Sequence, residues 1–196
     1  MASRIAVING HPDPSSERLC HALATAYIDG AAGAGHEVRR IDVGDLSFPL
    51  ILTKQDFEGP VESSDISEAQ TTIAWANHVV LVYPIWLGTM PALLKGFLEQ
   101  VFRPKFAFEP KQEQESWPIG GLTGRSARVV VTMGMPGLIY KWYFGAHSLK
   151  SLEQNILKFS GLGPVRESIY GMVDAASDAR RARWLADMKR LGSKAK

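Results

Sequence analysis

Cysteine is nearly absent. Cys20 stands alone among 196 residues, which excludes an internal disulfide and leaves too few thiolates for a zinc or iron–sulfur site; no metal site is expected. A reducing, cytoplasmic setting fits that scarcity. Net charge is also small: 22 Lys and Arg nearly cancel 20 Asp and Glu, leaving +2, so neither nucleic acid nor an anionic membrane is called for as a partner. No apolar run approaches the roughly 18–20 residues of a membrane span, so membrane insertion is not expected. The opening run turns polar at His11, too early for a secretory leader. The GxGxxG and Walker patterns are missing, which speaks against a Rossmann dinucleotide site and a P-loop kinase. Internal repeats and low-complexity segments are absent too.

What is present is the apolar content of one ordinary domain, at 45 % hydrophobic residues, so residues 1–196 are read as a single unit. Ile5-Ala6-Val7-Ile8 is short, β-branched and continuous, as a parallel strand covered on both faces should be. Leu19, Ala22, Leu23, Ala26 and Tyr27 then recur at helical spacing until Gly30 and Gly33 end the pattern. The alternation repeats, with strands over His36 to Asp42, His78 to Tyr83, Arg128 to Thr132 and Pro164 to Tyr170. Helices are predicted over Ser67 to Trp75, Pro91 to Val101, Gly145 to Phe159 and Ser177 to Leu191. Such alternation predicts an α/β fold, a doubly wound parallel sheet with helices on both faces. Leu46 to Asp65 and Arg103 to Arg125 break the rhythm and are expected to be functional loops or subunit contacts. The basic stretch from Arg180 to Lys196 reads as a solvated helix face.

In open parallel sheets ligands sit at the carboxyl ends of the strands, and in the flavodoxin order that crevice holds flavin. The first strand is followed by Gly10-His11-Pro12-Asp13-Pro14-Ser15-Ser16-Glu17-Arg18. Ser15 and Ser16 can donate to phosphate at a helix N-terminus, or one of them simply caps that helix. The third strand ends in Tyr83-Pro84-Ile85-Trp86-Leu87-Gly88-Thr89-Met90-Pro91, an apolar loop suited either to lie along an isoalloxazine ring or to bury Trp86 in a tight turn. The fourth ends in Thr132-Met133-Gly134-Met135-Pro136-Gly137, with Tyr140 and His147 beyond. A phenol and an imidazole can stabilise the charge of a reduced flavin; a histidine near a helix start can equally be structural.

Together these segments resemble the NAD(P)H:quinone oxidoreductase family, the flavodoxin-like group that includes DT-diaphorase, the drug-activity modulators and the ancillary reductases of potassium efflux systems. The resemblance runs over nearly the whole chain. It is strongest from Tyr83 to Phe97 and continues through Val101-Phe102 and Phe106-Ala107-Phe108, with Phe48-Pro49-Leu50 and Asp56 in the second connection. It implies a flavodoxin-like five-stranded sheet in the order 2-1-3-4-5. It implies FMN or FAD, tightly but noncovalently bound, with NAD(P)H as co-substrate. His11, Ser15, Ser16, Glu17 and Arg18 would hold the phosphate end; Pro84, Ile85, Trp86, Leu87 and Gly88, with Thr132, Met133, Gly134 and Met135, would hold the ring. Tyr140 and His147 would form the hydride relay, although one more residue separates them than in relatives. A homodimer is implied, with Phe106 and Phe108 joining Trp86 at a quinone substrate. The resulting expectation is a ping-pong quinone reductase. An electron-carrier flavodoxin, a regulatory subunit of a potassium efflux transporter and an azo or nitro reductase are the alternatives.

Overall fold

The computed structural model describes residues 2–108 and 120–196. Five strands form one sheet in the order β2-β1-β3-β4-β5: β1 Arg4–Asn9, β2 Glu37–Asp42, β3 His78–Pro84, β4 Ser126–Met133 and β5 Val165–Gly171. Every neighbouring pair is parallel. The predicted order is thus observed, and each connection crosses a face of the sheet as a helix or loop. All seven residues of β3 are buried, which explains a strand that reads as continuous apolar rather than alternating.

Alternate residues of β1 enter different cores. Ile5 and Val7 face α1 (Leu19–Gly33) and α7 (Asp178–Gly192), packing with Leu23, Tyr27, Trp184 and Met188. Ile8 lies on the other face with Val79, Leu81 and Tyr83, under α3 (Ser64–Trp75) and α4 (Ala92–Val101). α1 and α7 cross in close contact. A Cβ at Gly30 would fall 1.9 Å from the Lys189 carbonyl oxygen, and one at Gly192 2.0 Å from that of Tyr27. Gly30 therefore lies inside α1, not at its end, and the glycine is there to let two backbones meet.

Three other local expectations are corrected. The segment from Leu46 to Asp65 contains a short helix, α2 (Lys54–Glu58), started by a capping box in which Thr53 Oγ accepts from the Asp56 amide at 3.1 Å and Asp56 Oδ2 from the Thr53 amide at 2.9 Å. Helix α3 starts at Ser64, three residues before the predicted Ser67, because Ser63 caps it. The helix predicted over Gly145 to Phe159 is present but starts at His147, as α6 (His147–Ser151) continued by a π-helical turn over Leu152–Lys158, and a separate, unpredicted helix, α5 (Gly137–Trp142), precedes it. The loop from Arg103 to Arg125 falls partly outside the described residues. Its first residue is buried, with Arg103 donating to the carbonyls of Phe57 at 3.0 Å, Pro60 at 3.1 Å and Asp56. No helix among the described residues is long and apolar enough to cross a membrane.

Candidate functional site

The strand order reverses between β1 and β3, and the loops that follow β1, β3 and β4 meet at their carboxyl ends. The first loop is tied to the sheet where the Gly10 amide donates to the Val82 carbonyl at 2.7 Å. Neither serine caps α1: the N-cap position is Arg18, whose side chain makes no capping bond. The helix start is thus left open toward the loop. Inside the loop, Asp13 accepts from the Ser15 amide at 2.9 Å and from Arg18 Nε at 2.6 Å. Those bonds hold the Asp13 carboxyl below the usual carboxylate range, the Ser15 amide foremost. Ser16, Glu17 and Arg18 are exposed, Arg18 while paired with Asp13.

The second loop is a tight turn in which the Trp86 amide and carbonyl both pair with Thr89, at 2.8 and 3.0 Å. Its central residues, Leu87 and Gly88, have φ of 49° and 82°, the left-handed pair that a type I′ turn demands. Leu87 is held at some backbone cost with its side chain fully in solvent. The turn does not bury the tryptophan: Trp86 is 48 % exposed and stands edge-on to His11, ring centroids 5.7 Å apart. That contact joins the first loop to the second. Pro84 and Ile85 anchor the turn, Ile85 donating to the Thr132 carbonyl at 2.7 Å.

The third loop divides the residues expected there. Thr132 and Met133 point inward, Thr132 against Cys20 Sγ at 3.4 Å and Met133 into the core. Their carbonyls are taken by the Ile85 and Val173 amides. Both are corrected to supporting residues, and Gly134 and Met135 are what the loop presents. Cys20 is inert as a nucleophile, since burial pushes its thiol up to about 12.

Two adjoining hollows open beside the Trp86 turn. One, of about 740 Å³, is bounded by Trp86, Met90, Pro91, Lys95, Leu152 and Ile156; the other, of about 490 Å³, by Leu87, Gly88, Met135, Tyr140 and Phe144; His147 and Ser148 border both. Tyr140 and His147, distant by sequence spacing, therefore share one cavity. Between them the chain turns through a left-handed corner, with φ of 63° at Gly145 and 49° at Ala146. That conformation favours glycine at 145, and a Cβ there would fall 2.7 Å from His147 Nε2, so the imidazole would also have to shift. Tyr140 is 2 % exposed, and its hydroxyl is buried without a hydrogen-bond partner among the described residues. Burial raises its pKa, offset in part by the nearby Leu149 amide and Ser148 hydroxyl, so the phenol stays protonated at neutral pH.

Phe106 and Phe108 do not border either hollow. Both are half-buried, and Phe108 packs edge-on to Phe159 at 5.3 Å. Sequence reasoning missed the hydroxyl pair that joins the second loop to α6, in which Ser148 Oγ and Thr89 Oγ1 lie 2.9 Å apart. No spacing rule connects two residues so far apart along the chain.

A buried phenol whose hydroxyl lies near the Leu149 amide and Ser148 but makes no well-formed hydrogen bond among the described residues, a half-exposed indole and an uncapped helix start, all at one switch point, suit a flat ligand that carries polar edges and a phosphate. That donor set fits a flavin mononucleotide. Among known proteins, the chain is 25 % identical over 178 residues to a ribosyldihydronicotinamide dehydrogenase-like protein of Penicillium crustosum, covering 79 % of this chain and 64 % of that one. It is 24 % identical over 188 residues to an FMN-dependent NADH:quinone oxidoreductase of Macrococcus caseolyticus, with 85 % and 86 % covered. In structure it superimposes on an NAD(P)H:quinone oxidoreductase of Methanothermobacter marburgensis with a TM-score of 0.79 and 20 % identity, covering 99 % of this chain and 97 % of the other. Residues 3–191 match the flavodoxin-like fold family, and the chain belongs to it.

Proposed function

We propose that this protein is a flavin-dependent NAD(P)H:quinone oxidoreductase that uses FMN and passes hydride from NAD(P)H to a quinone or similar flat electrophile in two half-reactions. The observation that carries this reading is the convergence of the buried Tyr140 hydroxyl, without a well-formed hydrogen bond among the described residues, and His147 on one cavity beside the exposed face of Trp86. Bound flavin supplies the two-electron redox centre. The chain's own residues do the rest.

Ser15, Ser16, Arg18 and the open start of α1 hold the phosphate, with His11 shaping the loop from below. The Trp86 turn, with Gly134 and Met135, would hold the ring. Tyr140 donates its hydroxyl hydrogen to the ring's polar edge, where negative charge gathers on reduction, and His147 adds a second donor. The apolar wall of Met90, Pro91, Leu152 and Ile156 keeps water from the exchange and favours flat substrates over any one functional group. A homodimer completes the site, with Phe106 and Phe108 of one subunit walling the cavity of the other. Azo and nitro compounds belong to the same acceptor class. The setting is cytoplasmic.

The test is direct. Protein loaded with FMN oxidises NADH or NADPH when a benzoquinone or naphthoquinone is added, and Tyr140→Phe and His147→Gln each lower kcat by about tenfold or more while FMN content is kept. A loaded protein inactive with every quinone, or two variants with unchanged kcat, overturns the reading.

A further inference from the structure

The loop from Gly10 to Arg18 has few backbone bonds of its own, since Pro12 and Pro14 have no amide hydrogen to give. A closed circuit of side chains does it instead. Arg40, on the edge strand β2, grips Asp42 with both arms of its guanidinium, Nε to Oδ2 at 2.7 Å and Nη2 to Oδ1 at 2.8 Å. Asp42 also accepts from Asn9 Nδ2 at 2.9 Å, and Asn9 Oδ1 accepts from the His11 amide at 3.3 Å. His11 Nδ1 accepts from the Asp13 amide at 3.0 Å, and the Asp13 carbonyl accepts from His21 Nε2 at 3.0 Å. The circuit closes where Arg40 Nη2 donates to His21 Nδ1 at 3.3 Å.

At His21 the donor and acceptor roles follow from its partners. A guanidinium only donates and a carbonyl only accepts, so His21 carries its proton on Nε2. A lysine at position 40 offers a single point charge and cannot make the two-armed contact with Asp42 while reaching His21. The circuit fixes three successive parts of the loop: the His11 amide, the His11 ring and both backbone groups of Asp13. It is continued to the flavin-ring side by the His11–Trp86 contact. Beneath it, Gly44 lets the backbone of the turn after β2 approach, since a Cβ there would fall 2.7 Å from the Pro12 carbonyl oxygen.

We infer that Arg40 and Asp42 are positioning residues for the phosphate end of the flavin, acting through Asn9, His11 and His21; this rests on the flavin reading above. Neither touches the cofactor. Arg40 lies at the rim of the sheet, so its loss leaves both cores packed.

Full-length wild type, Arg40→Met, Asp42→Asn and Arg40→Lys are titrated with FMN and with riboflavin, which lacks the phosphate, following flavin fluorescence. Melting of the flavin-free proteins is recorded alongside. The expected result is an FMN Kd raised about tenfold or more in all three variants, about 1.4 kcal/mol, while riboflavin binding moves by less than about twofold and melting is little changed. Failure of Arg40→Lys to restore FMN affinity is part of that result. Equal losses for both flavins, unchanged FMN affinity, or variants that all fail to fold would assign the circuit to general stability and overturn the inference. A wild type that binds FMN beside insensitive variants leaves the proposed function intact; a wild type that binds neither flavin removes both.

Discussion

His78 begins β3 at 2 % exposure, its ring stacked on Tyr27 at 6.4 Å, its Nδ1 2.8 Å from the Ser126 hydroxyl and its Nε2 buried without a partner among the described residues. Burial, with Arg128 and Arg166 near, lowers its pKa from the ordinary 6.5 to about 4. The unfolded chain therefore takes up this proton first as pH falls. The stability that neutral His78 allows is whole above pH 6.5 and is lost on the way down to about 4, to the extent of about 3 kcal/mol. Urea denaturation at stepped pH should show that loss in the wild type and a flatter profile in His78→Leu, whose side chain cannot titrate. A variant with the same slope would assign the acid sensitivity to the carboxylates. Asp42, whose carboxyl Arg40 and Asn9 pull down against its own burial, loses its share only at lower pH.

At the scale of elements, the crossing of α1 and α7 depends on two glycines. Gly30→Ala places a methyl against the Lys189 carbonyl and forces the helices apart; the expected loss is about 1–3 kcal/mol in urea denaturation, with FMN affinity of the folded protein unchanged. An unaffected midpoint would mean that α7 shifts without cost. The same position shows why some boundaries escape a reading of sequence. A glycine after an apolar stripe looks like a helix end, but which glycine admits another backbone is decided by a partner far along the chain. The opposite holds at α2, where the Thr53 and Asp56 pair was a visible local signal inside a segment otherwise without periodicity. The start of α6 at His147, two residues later than predicted, follows from Gly145 and Ala146, whose left-handed conformations no apolar spacing announces.

At the scale of the whole molecule, sheet order and the three strand-end loops were legible, because burial of β1, β3 and β4 on both faces leaves a strong apolar imprint and ligand loops follow from topology. The Trp86 turn and the Tyr140 and His147 cavity were legible through family resemblance. The circuit around Arg40 was not, since it joins β1, β2 and α1 through polar atoms that have no period. Beside the smaller hollow, Leu138, Ile139, Trp142, Tyr143 and Phe144 are all exposed, a run of large apolar side chains that water solvates poorly. The proposed homodimer covers it. Sedimentation equilibrium should give twice the 21.5 kDa chain mass, and Trp142→Ser with Tyr143→Ser should shift the population toward monomer and slow quinone reduction. A monomeric wild type would remove the second copy from the site.

The tight crossing of α1 with α7 also orders events during synthesis. Helix α1 is made early, and the face that carries Leu23 and Tyr27 finds its cover, Trp184 and Met188, only when the far edge of the sheet has been built. Until then that face is open to chaperones and to other nascent chains. The interval of exposure to misassembly thus closes late, at the docking of one helix.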